Sequence, residues 1–125
     1  MEKRFLKLND IAAFKSAFKL SNVVWDIVVV WSYFEKDTVG KQFCRSIDSI
    51  SANIAEGFGR YTKKDKIKFY RISVGSLKES LDWNEKSFVR NLIDQEKHDE
   101  ILTDLQRIHK EINHLINFTN NKLSI

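Results

Sequence analysis

An all-α fold is predicted by three observations. The 125-residue chain has no proline, it has only four glycines, and its apolar residues recur every three or four positions along four stretches. Proline and glycine interrupt helices, whereas a three-four spacing sets apolar side chains along one helix face. The first stretch predicts a helix over residues 10–34, with Asn9 or Asp10 as N-cap. Phe14, Ala17, Phe18, Ser21, Val24, Trp25, Val28 and Trp31 form its apolar line. The β-branched run within it suits a strand as well, but no other segment offers the pattern of a partner strand. Around Ile27 to Val30 the helix is apolar on nearly every side, which calls for the protein's own core on one side and a neighbouring subunit on the other. Val23, Ile27, Val30 and Trp31 are the expected interface residues.

The second helix is predicted over 38–57, starting near Asp37 or Thr38. Phe43, Ile47, Ile50, Ile54 and Phe58 are its core stripe. Gly57 and Gly59 are its expected stop, because a left-handed terminal residue is cheap only for glycine. The third helix, capped at Thr62, is predicted over 62–91, with Ile67, Tyr70, Val74, Leu77, Leu81 and Phe88 inward. Gly75 inside it costs about 1 kcal/mol relative to alanine, which predicts the close approach of another helix. The fourth helix is predicted over 95–119, opening at Asp94 with Lys97 where a capping box carries Glu. Ile101, Leu105, Ile108, Ile112 and Leu115 line it, and a short tail from Lys122 follows. Four helices with short connections imply a single domain over residues 1–125, an antiparallel up-down-up-down four-helix bundle.

Composition sets further expectations. Cys44 is the single cysteine and cannot form an internal disulfide, which fits a reducing cytoplasm. The most apolar run, residues 23–31, contains Asp26 and is about half of the ~20 residues a membrane span needs, so no membrane partner is expected. The basic N-terminus is followed by no apolar run long enough for a signal peptide. Enzymatic patterns fail on spacing. A di-iron bundle needs two Glu-x-x-His motifs, and only Glu111-Ile-Asn-His114 fits. His109 and His114 lie roughly 140° apart on a helix and share no face. No HExxH, CxxC, phosphate-binding glycine loop or GxSxG occurs. Cys44 beside Phe43 reads as a small packing residue more readily than as a nucleophile. A non-enzymatic protein without metal or cofactor is expected.

Charge is unevenly placed. The chain is formally +4, yet residues 58–71 hold Arg60, Lys63, Lys64, Lys66, Lys68 and Arg71 against one acid, Asp65. Such an excess at one helix junction points to a polyanionic partner. Cations near a helix N-terminus oppose the macrodipole, so Lys63, Lys64 and Lys66 are not expected to stabilise the third helix. At about 100° per residue Lys64, Lys68 and Arg71 lie near one face, with Arg60 and Lys63 at its mouth. Phe58, Tyr61, Phe69 and Tyr70 are interleaved and either stack on bases or pack inward. A solvated helix start is the plainer reading of the same pattern. Lys41 and Arg45 are second-row candidates. Asn53 and Glu56, followed by Gly57, are expected to serve structure through a polar network with Arg45, Arg60 or Arg71.

The runs Lys36-Asp37-Thr38-Val39-Gly40-Lys41-Gln42, Arg45-Ser46 and Ser49-Ile50-Ser51-Ala52-Asn53-Ile54-Ala55-Glu56-Gly57-Phe58-Gly59-Arg60 carry a resemblance, joined downstream by Gly75-Ser76-Leu77-Lys78-Glu79. Together they resemble the four-helix bundle family called 23S rRNA-intervening-sequence proteins, across residues 36–81. Many members have proline where this chain has Ser51. The resemblance implies a left-handed antiparallel bundle, a ring-like homopentamer and a bacterial origin. It does not by itself assign an activity, since the family name records where such genes were found. A related branch, the accessory variability determinant of diversity-generating retroelements, works with a reverse transcriptase and its template RNA through a basic ring surface.

Two functions follow as expectations. The first is an oligomer that binds RNA or another nucleic acid through Arg60, Lys63, Lys64, Lys68 and Arg71, backed by Lys41 and Arg45. The alternative is a protein-interaction scaffold whose basic stripe meets an acidic protein partner.

Overall fold

Ser32 and Glu35 set the first boundary of the fold. In the computed structural model, which describes residues 6–122, the Glu35 N–H donates to Ser32 Oγ at 3.3 Å and the Ser32 N–H donates to the Glu35 carboxylate at 3.1 Å. This reciprocal capping box starts a new helix at Tyr33. Helix α1 therefore covers Ala12–Val28, not residues 10–34. Asp10 caps a preceding 3₁₀ turn, Leu8–Asp10, by accepting from the Lys7 N–H at 2.9 Å. Ile11 stands at the α1 N-cap without a side-chain bond.

Helix α2 spans 33–58 as an α-turn, Tyr33–Glu35, a π-helical segment, Lys36–Gly40, and an α-helix, Lys41–Phe58. The predicted start at Asp37 or Thr38 falls inside the π segment, where Thr38 donates its hydroxyl to Phe34 O at 2.7 Å instead of capping. A Cβ on Gly40 would stand 2.6 Å from Val28 Cγ1. The bare glycine lets α2 begin against the end of α1.

Helix α3, Lys63–Val89, opens at Thr62, whose Oγ1 accepts from the Asp65 N–H at 3.2 Å. It closes in a Schellman turn centred on Asn91 at φ 60°. There the Leu92 N–H donates to Ser87 O at 2.8 Å and the Asn91 N–H to Phe88 O at 3.0 Å. Asp94 then accepts from the Lys97 N–H at 2.8 Å, and α4 runs Gln95–Lys122, past the predicted 119.

These four long helices, with no strand among the described residues, share one core in which α1 and α3 each pack against α2 and α4. Phe43, Ile47, Ile50 and Ile54 of α2 and Ile101, Leu105, Ile108 and Ile112 of α4 are fully buried on the predicted lines. On α1 the buried line is Ala13, Ala17, Leu20, Val24 and Val28, while Phe18 and Trp25 are exposed. Val23, Ile27 and Trp31, expected to face a neighbouring subunit, are half-buried against the chain's own core. Val30 is 80% exposed, in the turn after α1, beside Tyr33 at 81% and Phe34 at 74%. One group of exposed apolar side chains thus sits at the α1–α2 turn.

Helix α3 departs furthest from its hydropathy pattern. Its buried line is Tyr70, Ser73, Leu77, Ser80, Asn84 and Ser87, alternating steps of three and four like a heptad seam. Ile67, Val74, Leu81 and Phe88 lie on its half-buried flanks. Serine is tolerated inside because its hydroxyl is satisfied. Ser73 donates to Ile50 O at 2.8 Å, Ser80 to Ser46 Oγ at 2.9 Å, and Ser46 to Phe43 O at 3.1 Å. Gly57 belongs to the same seam, since a Cβ there would meet the Tyr70 ring at 2.7 Å and Lys66 O at 2.9 Å. Neither Gly57 nor Gly59 is left-handed, so close approach replaces the expected glycine stop. The approach expected at Gly75 is missing: nothing lies within 4 Å of its would-be Cβ, and no contact explains that glycine.

Candidate nucleic-acid interface

The basic segment begins where α2 ends. Lys66 donates Nζ to Phe58 O at 2.7 Å, on the last residue of α2. Burial pushes the Lys66 pKa down. Lys63 donates Nζ to Asn120 O at 3.2 Å, in the last turn of α4. Helix C-termini carry orphan carbonyls and a partial negative charge, so both lysines complete neighbouring helices. That answers why cations stand in a first turn where their own helix dipole opposes them: they stabilise α2 and α4.

Arg60 is also engaged. Its guanidinium pairs with Glu56 and lies 4.5 Å from the centroid of the Phe69 ring. Phe69 is roughly 100–160° around α3 from Lys64, Lys68 and Arg71, so Arg60 flanks the predicted stripe on another face. Asn53 turns back on its own helix and donates Nδ2 to Ser49 O at 2.8 Å. The expected network reduces to the Glu56–Arg60 pair, and neither Arg45 nor Arg71 joins it.

Lys64, Lys68 and Arg71 differ from their neighbours. All three are exposed, and among the described residues none has an acidic partner within ion-pair distance. They fall within roughly 60° on α3 and form a row about 10 Å long. With Lys63, Ile67 and Asn120 they line an open groove of about 530 Å³. Half-buried Ile67 supplies apolar surface there, and the exposed Asn120 supplies a wall. Of the interleaved aromatics, Tyr70 is buried, with its pKa pushed up to about 12 by that burial, Phe58 and Phe69 are half-buried, and Tyr61 is exposed.

Lys41 and Arg45 are not brought to this groove. Both are exposed on the first turns of the Lys41–Phe58 helix, and Lys41 lies about 24 Å along the axis from Gly57. Lys41 instead borders a separate cleft of about 330 Å³ with Trp25, Val28, Val29, Lys36, Gly40 and Cys44. Burial, reinforced by Asp48, pushes the Cys44 thiol up, away from thiolate chemistry. Asn120 escaped the sequence reading because it looked only like a helix end. The signal was there in the expected up-down-up-down order, which sets the end of a fourth helix beside the start of a third.

A second polar cluster, also missed, joins the other end of α3 to α4. His98 Nε2 lies 2.7 Å from Glu85 Oε2 and its Nδ1 lies 2.9 Å from Asp99 Oδ1. Its ring packs on Phe88 at 4.8 Å, and its carbonyl accepts from Asn84 Nδ2 at 3.1 Å. The hydrogen bond to Asp99, helped by Glu85, holds the His98 pKa above its ordinary value against the opposing effect of burial. Among the described residues no group of three or more His, Cys, Asp or Glu side chains is arranged to hold a metal ion. No helix among them is long and apolar enough to cross a membrane.

Known proteins locate this architecture. A crystal structure of a protein of unknown function from the S23 ribosomal protein family of Bacteroides thetaiotaomicron superposes with a TM-score of 0.75. It is 22% identical, and the match covers 84% of this chain and 98% of that one, which shows a shared fold. A search of curated proteins finds no match. The sequence model of the 23S rRNA-intervening sequence protein family matches residues 9–114, including the α2–α3 junction and its cationic row. The chain belongs to the 23S rRNA-intervening sequence protein family.

Proposed function

We propose that this chain is a non-enzymatic, oligomeric bundle that binds RNA or another nucleic acid along Lys64, Lys68 and Arg71. One observation carries the reading: three exposed cations in a row, without acidic partners among the described residues, line an open groove. Cations already paired have little left to offer a phosphate, and unpaired ones gain most from counterion release. Arg60 and Lys63 act beside them in supporting structure, and Lys41 and Arg45 stand apart.

The assembly we propose is an up-down-up-down antiparallel bundle in a ring-like homopentamer. The pairings of Ser80 with Ser46, Ser73 with Ile50 and Lys63 with Asn120 support the antiparallel order. The exposed Val29, Val30, Tyr33 and Phe34 support a subunit contact at the α1–α2 turn. A ring repeats the cationic row once per subunit, which raises affinity for a polymer by multivalency.

Fluorescence anisotropy of a labelled RNA at two salt concentrations tests the binding. Three phosphate contacts per subunit predict a log–log salt slope of about −2 for a single strand, multiplied by the number of subunits engaged. No binding at low salt, or binding indifferent to salt, overturns the proposal. Co-purification before and after RNase then separates it from the scaffold reading, in which an acidic protein partner survives the nuclease. Light scattering tests assembly against the 14.7 kDa of one chain.

A further inference from the structure

We infer that the ligand of this groove is single-stranded nucleic acid, with an unpaired base laid on Ile67 while phosphates follow Lys64, Lys68 and Arg71. The inference rests on the nucleic-acid reading above and adds the strandedness of the ligand. Two features carry it. The groove is not cationic throughout: Ile67 shares its lining with the lysines, on the flank of the cationic row, and the aliphatic stems of the lysines extend its apolar surface. A duplex keeps its base faces inside the stack and has nothing to place on such a surface, whereas a splayed single strand does. Finally, Asn120 stands on the α4 side of the groove. A side-chain amide both donates and accepts, and it suits a base edge better than a phosphate row.

Inorganic polyphosphate separates bases from phosphates, because it carries the charge and lacks the base. The full chain is titrated with labelled oligouridine and with a labelled RNA duplex of equal phosphate number, and polyphosphate is used as competitor. Oligouridine is expected to bind about fourfold or more tighter per phosphate than either rival, the equivalent of roughly one buried methylene or more. Ile67→Ser should lose about that factor on oligouridine and leave polyphosphate competition unchanged. Ile67 also touches the core, so Asn120→Ala on the exposed wall serves as a second variant, with the same selective loss expected. A duplex that binds as tightly as the single strand overturns the inference. So does polyphosphate that competes equally per phosphate with neither variant discriminating. In both cases nucleic-acid binding itself survives. If none of the three polyanions binds at low salt, the underlying reading falls and takes this one with it.

Discussion

The two ends of α3 both carry charges and use them differently. Around its C-terminal end most charges are matched, with each other or with α4: Lys86 with Asp82 at 2.7 Å, His98 with Glu85 at 2.7 Å and Asp99 at 2.9 Å, and Lys97 with Glu100 at 3.1 Å, while Arg90 has no acidic partner among the described residues. At its N-terminal end Lys63 and Lys66 hold helix carbonyls, Arg60 holds Glu56, and Lys64, Lys68 and Arg71 have no acidic partner among the described residues. A count of basic residues treats all six alike. Pairing separates three that complete the fold from three that face a groove, and a ligand site belongs to the second set.

The largest expected effect comes from reversing that unpaired set. Lys64→Glu, Lys68→Glu and Arg71→Glu together should weaken RNA binding by about a hundredfold or more at low salt, since three phosphate contacts become repulsions. Lys86→Glu with Lys97→Glu, at the paired end, should change binding by less than about twofold. Anisotropy titrations of both variants check this, and equal losses would erase the distinction between the ends.

Packing beneath the basic end gives the next effect. Gly57→Ala should cost about 2–3 kcal/mol in urea denaturation, because its Cβ meets the Tyr70 ring at 2.7 Å and backbone oxygen of Lys66 at 2.9 Å. Gly75→Ala has open space and should stabilise by about 0.5–1 kcal/mol. Two glycines that look alike as helix interruptions should move stability in opposite directions. A smaller effect separates the lysines. Lys66→Met should cost about 1 kcal/mol through the lost bond to Phe58 O, whereas Lys64→Met should leave stability within about 0.5 kcal/mol.

How legible each region was follows from the kind of signal it carries. The α2 and α4 core lines could be read from the sequence because Phe43, Ile47, Ile50, Ile54 and Ile101 to Ile112 are large, apolar and regularly spaced. The α3 seam could not, because Ser73, Ser80, Asn84 and Ser87 look like surface residues until their partners on other helices are known. The α1–α2 boundary was legible in principle: Ser32-x-x-Glu35 is a capping box, hidden inside an apolar run that invited a longer helix. The basic cluster was visible as charge. Its division into held and unheld cations depends on contacts 8 and 57 residues apart in sequence, and local periodicity contains no such information.

The paired end makes the smallest prediction, and it concerns pH. Both His98 nitrogens face carboxylates, Glu85 from α3 and Asp99 beside it on α4. Only the imidazolium donates to both, so the folded state favours the proton and the His98 pKa is raised. A raised folded pKa places the contribution below the unfolded value of 6.5, and it is lost as pH rises through the folded pKa. Glu85 and Asp99 are more than half exposed, and water screens the pairs to about 1 kcal/mol. Asp48, raised by burial, loses stability as pH climbs through the carboxylate range and cancels when two proteins differ only at His98. The stability of the native chain minus that of His98→Gln should therefore be largest near about pH 6 and shrink toward about pH 9. Urea denaturation at both pH values measures it. A difference that stayed constant, or grew with pH, would mean that His98 joins α3 to α4 through Phe88 packing and the Asn84 bond, with its charge incidental.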